Sequence, residues 1–301
     1  MTAVVLALLC AASYGASDFL GGLGSRRVSY VRVAIIAQMA GMGSVLLGAS
    51  VAGGHLTLEG VGWGALSGIG AGTGSLALYR GLGRGEMSVV GPISGVGSAV
   101  IPALAGLVLG ERPPAVTLVG VAVILPAVYL IAREADAAAP PGGDPGVGVR
   151  AGVVDGALAG VGFGGFFLAL SQAGSGDGLW PSAASTVAST LLMLGFLLGR
   201  RHPHVRDRDR GAPSMVADQP ASMAGTTRLT AVAAGVSAGA ASALYLLATR
   251  RGLLVVVAVL AALYPAVTVL LARAVLHERS ARSQVVGLVM AAAAVVAITA
   301  G

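Results

Sequence analysis

Apolar stretches long enough to cross a lipid bilayer recur from one end of the chain to the other, and this fixes the solvent in which it folds. They run over residues 3–23, 31–53, 61–79, 88–109, 115–132, 151–171, 180–198, 229–249, 253–276 and 284–300. A spanning helix takes about 20 apolar residues, so ten of them use roughly 200 positions and leave about 100 for connections. Composition agrees: 55% of the 301 residues are hydrophobic, 11% are charged and the mean hydropathy is +0.85, a balance that no water-facing surface accommodates. Aromatics supply only 4% while glycine supplies 47 residues, which argues against an aromatic-girdled barrel and for helices packed closely through small side chains. The expected fold class is all-α: a polytopic membrane protein with ten transmembrane helices and no room for a soluble catalytic domain.

All 19 basic residues are arginine, and the net charge is +6. The arginines sit between apolar runs, where they orient spans and meet anionic headgroups. Membrane lipids are therefore expected partners, and nucleic acid is not. Cys10 is the single cysteine, which excludes an internal disulfide, and no His or carboxylate cluster has ligand spacing, so neither a metal nor another cofactor is expected. His202 and His204 belong to a charged loop. Gly68-x-Gly70-x-Gly72-x-Gly74 is a stripe of alternate glycines inside a span, not a phosphate loop following a strand. No basic residue precedes the run from Leu6 to Ala11 and a bulky Leu9 stands before Cys10, so this run reads as the first span and not as a cleaved signal.

Two connections are long, Arg133 to Arg150 and Arg200 to Arg228, and both read as loosely ordered polar loops. The first lies near the centre of the chain, and matching residues flank it. Leu109-Gly-Glu-Arg112 at the end of span four has a counterpart in Leu276-His-Glu-Arg279 at the end of span nine. Gly120 and Gly287 follow these motifs at equal distances, Ser98-Ala-Val100 aligns with Pro265-Ala-Val267, and Ala77-Leu-Tyr79 matches Ala243-Leu-Tyr245 at an offset one residue shorter. The chain therefore divides into two five-span units over residues 1–136 and 150–301, with a linker at 137–149 and a polar loop at 200–228. Five is odd, so the second unit enters the membrane inverted relative to the first. This is the plan of secondary transporters whose substrate site sits at midplane between the repeats.

These residues resemble the EamA type of the drug/metabolite transporter superfamily, which has ten spans in two EamA repeats. The paired Gly-Glu-Arg and His-Glu-Arg ends, the glycine after each, and the opening segment Tyr14-Gly-Ala-Ser-Asp-Phe-Leu-Gly-Gly22 before Arg26-Arg27 carry the resemblance, which covers the chain outside the two loops. It implies a secondary transporter moving small metabolites or drug-like compounds outward across a bacterial cytoplasmic membrane, by alternating access around a cavity from spans one, three, four, six, eight and nine. The partners expected are a small-molecule substrate and membrane lipids, with a homodimer left open. An enzyme is not expected: a membrane-embedded enzyme or lipid-processing protein needs a nucleophile or an ionisable cluster that these spans lack, and a non-transporting subunit would carry no flux.

Four side chains stand out as substrate-binding candidates: Asp18, Tyr14, Ser94 and Tyr264. Asp18 lies inside span one, where a carboxylate costs at least a few kcal/mol unless it is paired, protonated or hydrated. Tyr14 precedes it by one helical turn and shares its face. Two readings stay open: a substrate or proton role, or pairing with Arg26 at the interface. Ser94 belongs to a small polar face of span four with Gly91, Gly95, Ser98 and Pro102, a stripe of the kind that usually means close helix contact, with cavity lining as the alternative. Pro92, Pro102 and Pro265 lie inside spans and can bend them at related places in both units. Tyr79 and Tyr245 read as interfacial anchors, leaving Tyr14 and Tyr264 as the tyrosines well inside. Glu111 and Glu278 fall at helix ends beside arginine and read as local pairing or capping residues.

Orientation follows from charge. The odd-numbered connections hold fifteen arginines and the even-numbered ones three, which places the odd connections in the cytoplasm and both termini outside. The family resemblance implies the reverse. With the charge count followed, a reporter fused after Gly301 is expected to behave as extracytoplasmic; activity of a cytoplasm-only reporter at that end would reverse the assignment.

Overall fold

The computed structural model describes residues 1–26, 28, 30–83, 87–133, 145–199, 225–277 and 281–300, among which there is helix and no strand. In chain order the helices are α1 (Thr2–Ser25), α2 (Tyr30–Ala52), α3 (Leu58–Gly83), α4 (Met87–Val108), α5 (Ala115–Arg133), α6 (Pro145–Ser171), α7 (Trp180–Gly199), α8 (Gly225–Thr249), α9 (Leu254–Ala261), α10 (Tyr264–Leu276) and α11 (Arg282–Ala300). Helix is what apolar chain must form where water cannot satisfy its backbone, because each N–H and C=O then pairs within its own segment. Eight of these segments are long and apolar enough to cross a membrane, with α9 and α10 taken together as one. Helices α3 and α7 take the two remaining expected places without being among the eight, and in α3 glycine dilutes the apolar character.

Two expectations need correction. Helix α6 starts at Pro145, so the end of the connection read as a loose loop is helical; its middle, and nearly all of 200–228, lie outside the described residues. Span nine is not continuous either. Pro265 has no N–H to give and its ring excludes the carbonyl four residues back, and α9 ends at that residue, Ala261. A turn through Ala262 and Leu263 separates it from α10. Helix α4 keeps Pro92 and Pro102 within one continuous helix, so the prolines do not bend the two units alike.

The repeat is visible in atomic detail where α5 meets α11. A Cβ added to Gly120 would lie 2.7 Å from Ile298 Cγ1 and 2.9 Å from the Ala294 carbonyl; one added to Gly287 would lie 2.8 Å from Ile131 Cγ1 and 2.9 Å from the Ala127 carbonyl. Each glycine thus meets an Ala and an Ile standing at the same distance along the other unit's chain. Such reciprocity is what a two-fold relation between the units produces, and the missing side chains let the two backbones touch.

Elsewhere the units interleave. Helix α3 packs on α6 and α7 of the second unit, while α8 packs on α1 and α2 of the first. The alternate glycines of α3 explain its double contact. Steps of two residues rotate by about 200° on a helix, so Gly68 and Gly72 face Ser185 and Leu192 of α7, whereas Gly70 and Gly74 face Gly162 and Phe163 of α6. Helix α9 lies at the centre of the bundle with all eight residues buried.

Polar ties join the units at both ends. On the face carrying the odd connections, Arg80 donates from Nε to Asp155 Oδ1 at 2.8 Å. Asp155 is 1% exposed and Arg80 48%. On the opposite, even face, Thr57 donates to Asp177 at 2.7 Å and accepts from the Gly60 N–H at 2.9 Å, which caps α3. Within the second unit, Arg250 donates to the carbonyls of Gly178 at 2.7 Å and Gly174 at 2.6 Å. Burial pulls the pKa of its guanidinium down and the Asp177 charge pushes it back. The His55 N–H donates to the Gly176 carbonyl at 3.0 Å. Gln38 ties α2 to α7 through Ser189 at 2.8 Å.

Because the glycine contacts are reciprocal, Gly120→Ala and Gly287→Ala should destabilise by similar amounts, each about 1–3 kcal/mol. Thermal unfolding of the purified variants in detergent measures this; a loss confined to one of them would contradict a shared two-fold contact.

Candidate functional site

The candidate site forms where α1 meets the α9–α10 break, and two local features place it there. Pro265 forces the break and sets Tyr264 at the first position of α10. Gly15 then lets α10 approach: a Cβ there would lie 2.5 Å from Val267 Cβ and 2.7 Å from the Tyr264 carbonyl. Thr268 fastens the approach by donating to the Gly15 carbonyl at 3.2 Å. The rings of Tyr14 and Tyr264 consequently meet edge to face, with centroids 6.3 Å apart.

Behind them stands an aromatic wall. Tyr14 also meets Phe167 edge to face at 6.3 Å, Phe167 lies 4.6 Å from Tyr245, and Phe166 lies 4.9 Å from Phe167. The Tyr245 hydroxyl donates to the Phe167 carbonyl at 3.0 Å. Tyr245 is fully buried, which corrects its reading as an interfacial anchor. Its buried hydroxyl needs a partner, and α6 provides one.

Cys10, Tyr14 and Asp18 stand one above another on α1, four residues apart. Along this line Cys10 is buried, Tyr14 half-buried and Asp18 exposed, so the surroundings open progressively toward the odd face. Asp18 lies within electrostatic reach of both Tyr14 and Tyr264. Among the described residues its carboxylate has no hydrogen-bond or ion-pair partner, and neither tyrosine hydroxyl has a hydrogen-bond partner. Pairing of Asp18 with Arg26 is not among the contacts of the described residues. A carboxylate within electrostatic reach of two tyrosines can bind a cationic or hydrogen-bonding group, or exchange a proton.

Three of the four expected site residues therefore come together, and the fourth does not join them. Ser94 is buried on α4, donates to the Gly91 carbonyl of its own helix at 2.9 Å, and packs beside Gly160 of α6. Ser98 likewise donates to the Gly95 carbonyl. This face is a packing stripe.

Sequence reading passed over three features. The aromatic wall was signalled by the rarity of aromatics in this chain and by Tyr245 closing a repeat-matched triplet. Asp155, an acid inside span six, was hidden by the surrounding apolar run. Glu111 does cap a helix, but not locally: its Oε1 accepts from the Leu254 N–H at 2.6 Å and its Oε2 from the Val255 N–H at 2.9 Å, at the start of α9 in the other unit. Arg112, beside it, donates to the carbonyls of Leu107 and Glu111. Glu278 and the side chain of Tyr79 lie outside the described residues.

No curated protein matches the chain. Eighteen solved chains do. One of them, "Crystal structure of protein", superposes with a TM-score of 0.75 over 99% of this chain and 96% of its own at 14% sequence identity, a likeness of fold. The EamA-like transporter family matches residues 1–133 and 150–300, which are the two units separated by the central linker. With a multi-pass apolar bundle, two matched units and their reciprocal contacts in place, the chain belongs to the EamA-like transporter family and is a membrane transporter of the drug/metabolite type.

Proposed function

We propose that this transporter is a secondary carrier of small polar or amphipathic compounds, amino acids and drug-like molecules among them, working by alternating access and exporting its substrate across a bacterial cytoplasmic membrane. In this reading all ten helical segments span, with α9 and α10 forming one broken span. Asp18, Tyr14 and Tyr264 are the substrate-contacting side chains. The observation that carries the proposal is the Asp18 carboxylate: inside a spanning helix, exposed, without a protein partner among the described residues, and beside two tyrosines whose hydroxyls are also unengaged. An intramembrane acid in that condition is expensive, and substrate or a proton is what offsets the expense.

The position of Tyr264 supports the same reading. It sits at the junction of a broken helix, where small rotations re-aim the ring, and half-helices at midplane are the usual construction of transporter sites. Gradient energy fits a chain without a phosphate-binding loop among its motifs.

Protein reconstituted in liposomes and offered a panel of labelled metabolites is expected to exchange at least one of them; no exchange by a folded bundle would oppose transport by this route. For a substrate so found, Asp18→Asn should lower initial flux per folded molecule by about ten- to a hundredfold if it is cationic, the loss of one charge-assisted contact. Tyr14→Phe and Tyr264→Phe should cost less, because they keep the ring. Unchanged flux in Asp18→Asn would remove the carboxylate from the site.

A further inference from the structure

The even-face end of α9 is held by a residue of the opposite unit, and the far end of the same helix carries the candidate site. Glu111 leaves the end of α4 and places both carboxylate oxygens on the first two N–H groups of α9, at 2.6 and 2.9 Å. Those N–H groups have no intrahelical acceptor, and a negative charge there also meets the positive end of the helix dipole. The room for this contact is made by glycine: a Cβ on Gly106 would lie 2.6 Å from Glu111 Oε2 and 2.8 Å from Val255 Cγ2. The Glu111 N–H in turn donates to the Gly106 carbonyl at 3.0 Å, which fixes the turn that presents the side chain.

What the carboxylate holds is one stiff rod. Helix α9 has eight residues and so spans about 12 Å. Every residue along it is buried, and the turn at Ala262 and Leu263 joins it directly to Tyr264. A body this short and tightly packed transmits displacement from one end to the other. The same end of the bundle is where Thr57–Asp177 and His55–Gly176 tie the units together, with Arg250 bracing the Gly174–Gly178 turn from within the second unit. Toward the odd face, by contrast, the Cys10–Tyr14–Asp18 line opens.

From these contacts we infer that Glu111 is a positioning residue for the transport cycle: its carboxylate latches the even face shut across the two units and, through α9, holds Tyr264 against Tyr14. Release of α9 from Glu111 opens the even face and moves Tyr264 away from Asp18, so that one event unseals one side and rearranges the site. This rests on the alternating-access reading above.

The sole native cysteine is a built-in reporter. Cys10 lies on the even-face side of Tyr14 and is 0% exposed, so it is shielded while the latch is closed. A second reporter is Gly22→Cys in a Cys10→Ser background: position 22 continues the same line on the exposed side, with open space around its Cβ. Three variants loosen the latch. Glu111→Ala removes both acceptors, Glu111→Gln leaves one, and Leu254→Pro deletes a donor while keeping the charge. The proline suits the first helical position, and Leu253 already has the φ −65 and ψ 135 that a residue before proline adopts.

Labelling by a charged maleimide is measured on monodisperse protein, with denatured protein as the full-labelling reference. In Glu111→Ala, Cys10 should label about tenfold faster or more while Gly22→Cys labels more slowly; Leu254→Pro and Glu111→Gln should move both reporters the same way by less. Faster labelling of both reporters means general loosening and overturns the inference, as does no change in either. If Glu111→Ala does not fold, the two milder variants decide by the same criterion. Labelling needs no substrate, so reciprocal shifts without any flux would count against the transport reading alone. Intact flux with unmoved reporters would count against the latch alone.

Discussion

Backbone-to-backbone approach at glycine is the contact on which the rest of this bundle depends. Lipid offers no hydrophobic drive to bring helices together, so close packing must supply the attraction, and it grows as helices approach. Gly120 and Gly287 set the α5–α11 contact, Gly41 and Gly235 bring α2 onto α8, and Gly97 meets Gly160 between α4 and α6. Gly15 does the same for α1 and α10, and there the close approach assembles the candidate site. Without it the Tyr14 and Tyr264 rings, now 6.3 Å apart, would separate.

The two units share a pattern without sharing a shape. Their glycine contacts at α5 and α11 are interchangeable, yet α4 runs unbroken and its counterpart is split into α9 and α10. The stretch Tyr14 to Asp18 answers to Phe163 to Phe167, with a carboxylate where the second unit has an aromatic ring. Between two matched units such inequality is informative. The two ends differ accordingly: both carry a polar tie between the units, Arg80–Asp155 at one and Thr57–Asp177 with His55–Gly176 at the other, but only the Arg80 end also exposes Asp18.

Much of the architecture was legible in the residues because the governing signals are local. Runs of apolar residues give spans, and the paired Glu-Arg motifs give the repeat, including the glycines later found in reciprocal contact. Tyr14, Asp18 and Tyr264 stood out because polar groups inside spans are few. What the sequence hid was everything set by a partner distant in the chain. Glu111 reads as a residue beside Arg112, and only the fold shows that its oxygens reach α9. Tyr245 reads as an anchor until the Phe167 carbonyl is found above its hydroxyl. Ser94 shows the converse: a polar side chain on a promising face whose hydroxyl turns back to its own helix.

The alternate glycines of α3 bear on how the protein is made. Their two rows fit α6 and α7, helices of the other unit, and α8 repays the exchange by lying on α1 and α2. During synthesis α3 therefore emerges with both rows empty and keeps them so while α4, α5 and the linker follow. Insertion and assembly are thereby separated for α3: the first five helices can enter the bilayer in order, but the two main partners of α3 do not yet exist. A ribosome that stops after the linker therefore leaves a bundle whose third helix has α4 beside it but neither of the helices that its glycine rows fit.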